Sequence, residues 1–135
     1  MMRWILLGFM LLLAACGGEG NPLADTEWRL VELGKADGPA AVVGGNPTPE
    51  FTTAKDMAGW TGCNSYSARY SVRGSELRLD DLRLTEAGCP TQALFRQKQR
   101  MQDSLATVER FEVSGERLTL HSEGGQVLVL SRVGE

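Results

Sequence analysis

After residue 25 the chain is built of short runs in which apolar and polar residues alternate, and a period of two predicts half-buried strands. Thr26 to Leu33 sets Trp28 and Leu30 on one face against Glu27 and Arg29 on the other. Glu50 to Thr53 and Met57 to Trp60 are short strand candidates, followed by Ser67 to Arg73 with Tyr70 and Val72 in phase. From Glu76 to Thr85 the apolar set runs Leu77, Leu79, then Leu82, Leu84, and the extra residue at Asp80-Asp81 requires a bulge or tight bend to restore the register. Val108 to Val113, Arg117 to His121 and Val127 to Arg132 complete the strands, with Ser114-Gly115-Glu116 and Glu123-Gly124-Gly125 as turns between them. Val127 to Leu130 is continuously apolar, which predicts a central strand covered on both faces.

One segment follows a helical period instead. Gln92 to Ala106 places Leu94, Met101 and Leu105 near one stripe, and Thr91 after Pro90 supplies the N-cap. Gly34 to Pro49, with Gly38-Pro39 and Gly44-Gly45-Asn46-Pro47 around the apolar Ala40 to Val43, is expected to be the least ordered part of the domain.

The first residues have a different pattern. Arg3 precedes 12 uncharged, mostly apolar residues, Trp4 to Ala15. A bilayer-spanning helix takes about 20. The closing Leu13-Ala14-Ala15-Cys16 resembles a lipobox, in which the secretory signal is cut before the cysteine and that residue is lipidated. Residues 1–15 are then a signal peptide, Cys16 is the lipidation site, and residues 16–25, beginning Gly17-Gly18-Glu19-Gly20-Asn21-Pro22, are a flexible tether to a domain over residues 26–133. The covalent lipid is the only prosthetic group expected, and the membrane is the first expected partner. Gly17 stands where Asp retains lipoproteins in the inner membrane of enteric bacteria, so in an organism that has an outer membrane a location there, facing the periplasm, is expected.

Cleavage before Cys16 leaves 120 of the 135 residues, the size of one domain with one core. It also removes Arg3, so a formal charge of −3 becomes about −4, with no basic run of the kind nucleic acid selects. Cys63 and Cys89 remain as an even pair. In an oxidising compartment a disulfide is the favoured state, beside a pair of buried thiols or a metal pair. Zinc would need further ligands, His121 is the sole histidine, and Asp80-Asp81 lacks the oxygen-rich loop that calcium requires, so no metal is expected. His121 as a general base would need a nucleophile and an orienting acid from among residues such as Ser65, Ser67 or Asp81, and its plain reading is a half-exposed residue at a strand end. Asn64 and Thr85 are read as satisfying backbone groups beside turns, and Trp60, Tyr66 and Tyr70 as core aromatics.

Gly59-Trp60-Thr61-Gly62-Cys63-Asn64, Thr85-Glu86-Ala87-Gly88-Cys89, the opening Thr26-Glu27-Trp28-Arg29-Leu30 and the late Gly115-Glu116-Arg117-Leu118-Thr119-Leu120 together resemble the META-domain (HslJ-like) family over residues 26–133. The chain departs from that pattern at Ala68-Arg69 and at Ala87, both packing positions. The resemblance implies a mainly β fold: a strongly curved antiparallel sheet, barrel-like, with one packed α-helix. It also implies a link to envelope stress, including heat and antibiotic tolerance, and brings no enzymatic activity and no settled ligand.

The expected function is therefore a non-catalytic, membrane-tethered module, with a monomeric domain, that contacts unidentified envelope proteins. A carrier of small apolar ligands, with Trp28, Phe51 and Trp60 around a cavity, is the alternative, and an enzyme built on Cys63, Cys89 or His121 comes last.

Overall fold

A computed structural model of the chain describes residues 20–134. The signal peptide and Cys16 lie outside the described residues. Nine strands and one α-helix follow in order: β1 Thr26–Lys35, β2 Ala40–Ala41, β3 Thr48–Phe51, β4 Asp56–Trp60, β5 Ser65–Arg73, β6 Glu76–Leu84, α1 Gln92–Ala106, β7 Val108–Ser114, β8 Arg117–Ser122 and β9 Gln126–Val133.

All pairings are antiparallel, and each strand from β3 onward pairs with the next, through hairpins except where α1 links β6 to β7. It closes because β1 also pairs with β9, from Glu27↔Val133 to Lys35↔Gln126. The result is a closed barrel of eight strands, and β2 is a short addition to the edge of β1. The single helix and the β barrel agree with the sequence reading, including the bounds of Gln92–Ala106 and the cap, where Thr91 Oγ1 accepts from Leu94 N at 3.1 Å.

Three bulges keep the apolar faces inward, one of them on β7 between Val108 and Arg110. On β6, Asp81 takes a φ of +54° and the register with β5 jumps between Ser67↔Arg83 and Arg69↔Asp80, the slip expected at Asp80-Asp81. On β1 a jump between Leu30 and Glu32 lets Leu33 face Leu128 as Leu30 faces Leu130. Leu128 and Leu130 join the core, and Val127 and Val129 are also buried on the alternate face, between Gly34 and Glu32 of β1 and His121 and Thr119 of β8. β9 is the doubly covered strand that its continuous apolar run predicts.

The barrel is filled from the inside. Trp28, Leu30, Phe51, Met57, Leu77, Leu118, Leu120, Leu128 and Leu130 are all at most 2% exposed. Trp28 is satisfied within this apolar volume because its Nε1 donates to Thr26 Oγ1 at 2.7 Å. Each open end has its own plug. At the end where β1, β4, β6 and β8 finish, α1 lays Met101 and Leu105 into the core, and Ser122 Oγ donates to Ser104 O at 2.6 Å. At the opposite end, Leu23 is fully buried.

That plug corrects the expected tether. Residues 21–25 belong to the folded domain: Asn21 Nδ2 donates to Ala54 O (3.2 Å) and to Tyr70 Oη (3.0 Å), its Oδ1 accepts from Leu23 N (3.0 Å), and Asp25 N donates to Phe51 O. Leu23 was set among Gly, Asn and Pro residues without a period, so nothing local marked it as core. A second correction concerns Gly34 to Pro49, which is pinned at intervals: Val42 N to Val31 O, Leu30 N to Pro47 O and Ala36 N to Gly125 O. β3 also starts two residues before Glu50, because Thr48 and Pro49 continue the pairing with Trp60 and Gly59.

Leu23→Ala is expected to destabilise the domain by about 2–4 kcal/mol, the range for emptying a buried leucine site. Pro22→Ala next to it, at an exposed position, should stay within about 0.5 kcal/mol. Urea unfolding of the two variants checks the contrast, and equal stability would place Leu23 outside the core.

Candidate functional site

The sequence-predicted residues Gly62, Cys63, Asn64, Thr85 and Cys89 meet at the helix end of the barrel, where the β4–β5 turn, the link from β6 to α1 and the 43–47 loop converge. The turn is built by Thr61. Its Oγ1 accepts from Cys63 N (3.2 Å) and Asn64 N (2.9 Å), while Thr61 N donates to Asn64 O (2.8 Å). Cys63 and Cys89 form a disulfide with a Cα separation of 4.9 Å, tying this turn to the segment that starts the helix. Asn64, 1% exposed, donates both amide hydrogens across the same gap, to Thr85 O at 2.7 Å and Ala87 O at 2.8 Å. Thr85 Oγ1 accepts from Ser65 N at 3.1 Å, and its own N–H donates to Ser65 O. These polar groups are spent on backbone, as their turn positions suggested. Within this cluster, Asn64 Oδ1 is buried without a partner.

A second brace escaped the sequence reading. Gln97 of α1, 5% exposed, accepts from Val43 N at 2.7 Å through Oε1 and donates to Gly44 O at 2.8 Å through Nε2, so both ends of one amide fasten the same stretch of the loop to the helix. The signal was present: Gln97 sits four residues before Met101 on the buried stripe, where an unpaired polar side chain would be costly. The same loop stacks backbone on backbone against the turn. A Cβ on Gly45 would stand 2.7 Å from Gly62 Cα, and both residues have positive φ, +77° and +102°.

Gly59 shows why a glycine precedes the motif. It lies opposite Tyr66 on β5, and a Cβ there would stand 2.5 Å from the Tyr66 ring and 2.0 Å from Thr48 O. Tyr66 crosses that open space to donate its hydroxyl to Thr48 O at 3.0 Å. Burial pushes the Tyr66 phenol well above the usual tyrosine range.

Trp60 departs from the core role expected of it. Met57 points inward, so Trp60 three positions on points outward; it is 40% exposed and its Nε1 donates to Gly45 O at 2.9 Å. Val43 and Phe95, also exposed, lie at this same end, on the loop and on the helix, and Lys98 Nζ stands 5.7 Å from the Phe95 ring centroid. Trp28, by contrast, is in the core, so Trp28 and Trp60 do not share a site.

His121 is placed far from this cluster in role. It faces β7, with Nε2 3.2 Å from Glu112 Oε1 but outside hydrogen-bond geometry, and Glu112 is itself bonded by Arg110 at 3.0 Å. Ser65 and Ser67 lie on β5 and Asp81 at the β6 bulge, so none of the three candidate partners is brought to it by strand pairing. A surface cleft of about 510 Å³ opens where β6 and β7 part, after a single register pair, Glu76↔Arg110; Ser71, Arg73, Glu76 and Arg78 make most of its lining polar.

The braced turn, the disulfide and the closing hairpins form one constellation, and the META domain family model matches it over residues 21–135. The chain belongs to the META domain family. Its start at residue 21 coincides with the first anchored residue, Asn21. Among solved structures the META domain is similar to a protein from Burkholderia xenovorans determined by NMR, with 24% identity, a TM-score of 0.72, and coverage of 84% of this chain and 85% of that one. A second protein solved by NMR has 19% identity and a TM-score of 0.63 over 81% and 90% of the two chains. A crystal structure of a DUF4847 family protein from Bacteroides vulgatus ATCC 8482 has 12% identity and a TM-score of 0.60 over 84% and 96%. At these identities the likeness establishes the shared fold. No curated protein is significantly similar to the chain.

Two measurements test the site. Since the folded-state phenol of Tyr66 is raised, the folded protein holds a proton that the unfolded chain releases above about pH 10, so stability is full below that pH and falls by up to about 1.4 kcal/mol per pH unit above it. Tyr66→Phe should remove that part of the alkaline slope, and an unchanged slope would show that the phenol is not buried in solution. Reducing the Cys63–Cys89 bridge, with its sequence separation of 26, should cost about 3.5 kcal/mol in the chain-entropy model. The intact mass of the oxidised protein, compared with the reduced form, checks that the bond is present.

Proposed function

We propose that this chain is an outer-membrane lipoprotein, anchored through Cys16 and facing the periplasm, whose META domain works in envelope stress by contact with other envelope proteins and not by catalysis. One observation carries the reading: the groups with chemical capacity at the motif are committed to holding backbone together. Cys63 and Cys89 are bonded to each other, Asn64 and Thr85 are spent across the turn, and Gln97 is spent on the loop. What the same end offers to solvent is apolar surface, Val43, Trp60 and Phe95, on a rigid frame suited to recognition. The filled interior favours contact over ligand carriage, since a carried molecule would have to displace Trp28, Phe51 or Met57.

The lipid anchor is tested by Cys16→Ser, which should leave unprocessed precursor and no lipidated mature form in the membrane fraction; unchanged processing would end that assignment. Catalysis is tested through His121→Ala. That variant is expected to keep thermal stability and heat or antibiotic tolerance together, whereas Trp60→Ser should keep the fold and lose crosslinks to envelope partners in living cells. If His121→Ala lost tolerance with stability and membrane placement intact, a catalytic or metal site at His121 would replace the contact reading.

A further inference from the structure

The barrel has two unlike ends, and the chain leaves it from only one of them. Asn21 is fastened to Ala54 O and Tyr70 Oη, and Leu23 is sealed in the core, so the N-terminal segment emerges at the end that carries the β5–β6 and β7–β8 turns. Only five peptide links separate Cys16 from Asn21, a reach of at most about 18 Å. The strands run eight or nine residues in β9 and β5, and at a tilt of about 40° that makes a wall roughly 20 Å tall. The helix across the far end adds about 10 Å. A link of about 18 Å attached at the near end cannot reach around the barrel to seat it on its far end, about 30 Å away, so the domain cannot stand inverted on the surface that holds the lipid.

The exposed large apolar side chains sort in the same way. Val43, Trp60 and Phe95 belong to the helix end, while Val113, 42% exposed, and Val133, 37% exposed, stand at the end where the chain emerges. Beside Val113 a cleft of about 500 Å³ is lined by Pro22, Val72 and Phe111, directly against Gly20. Apolar side chains at hairpin and strand ends, within reach of an acylated residue, meet the chemistry of a bilayer interface, where each buried methylene contributes about 0.8 kcal/mol.

We propose that the barrel stands end-on on the bilayer, with Val113, Val133 and the Pro22 cleft in the headgroup layer and with Trp60, the disulfide turn and α1 presented away from the membrane. The inference deepens the function proposed above and rests on its lipid anchor. It makes the short link a device for aim, because the surface proposed for protein contact is then held at the top of the barrel, about 30 Å above the lipid.

The test uses the full chain, purified from membranes and floated with phosphatidylethanolamine and phosphatidylglycerol vesicles containing a headgroup nitroxide lipid. Buried Trp28 emits in every variant, so Trp60 is read as the emission of the unaltered protein less that of Trp60→Phe, and each introduced indole as the emission above the same Trp60→Phe background. Val113→Trp and Val133→Trp, each combined with Trp60→Phe, report from the other end. Loss of most of the fluorescence of the introduced indoles, with Trp60 emission unchanged, is the expected result. Flotation with Trp60 quenched as strongly as the introduced indoles, or with none of them quenched, overturns the end-on orientation and leaves the anchor standing. Failure of the protein to float removes the anchor and the orientation with it.

Discussion

Eight register pairs between β1 and β9 turn an antiparallel sheet into a closed wall, and the rest of the molecule follows from that closure. An open sheet would leave the edges of β1 and β9 unpaired and one face of the core uncovered. Closure satisfies those edges with backbone alone and encloses Trp28, Phe51 and the leucines of β6, β8 and β9 in a volume that side chains can fill. The β1 bulge is what makes the ladder long enough: without the shift at Val31, Leu33 would leave the interior.

A filled barrel still has two open ends, and the chain covers them with segments of different kinds. Leu23 and the Asn21 bonds close one end with a few residues that precede the first strand. The other end needs a whole helix, on which Gln97 bonds an amide and a carbonyl of the rim loop and the Ser104 carbonyl accepts from the Ser122 hydroxyl. The helix also lies next to the weakest seam in the wall, where β6 and β7 share one register pair. Its connection to that rim through Cys63–Cys89 and Asn64 explains why the motif clusters there: the bonds hold the plug, and the exposed aromatic surface is carried on the plug and its collar.

Local patterning was enough for most elements because each strand has one wet and one dry face, and each helix turn a fixed angular step. The Gln92–Ala106 helix, the Asp80-Asp81 bulge and the double burial of Val127 to Leu130 all follow from side-chain parity within a few neighbouring residues. The site was legible in part. Cys63, Asn64 and Thr85 stood out by residue type beside turns, whereas Gln97 showed only its place on the buried stripe, because its partners, Val43 and Gly44, are more than fifty residues away in the chain.

What the sequence by itself determined was therefore the list of elements, the β class and the residues of the turn motif, all of them consequences of short-range periodicity and turn chemistry. Only the tertiary structure decided that β1 would meet β9, that Leu23 would seal an end and that Trp60 would face solvent. Each of these depends on which distant segment occupies a given space. Burial is a property of that shared space and not of the residue, so a leucine between Pro22 and Ala24 and a tryptophan at the end of β4 carry no local sign of which one goes inside.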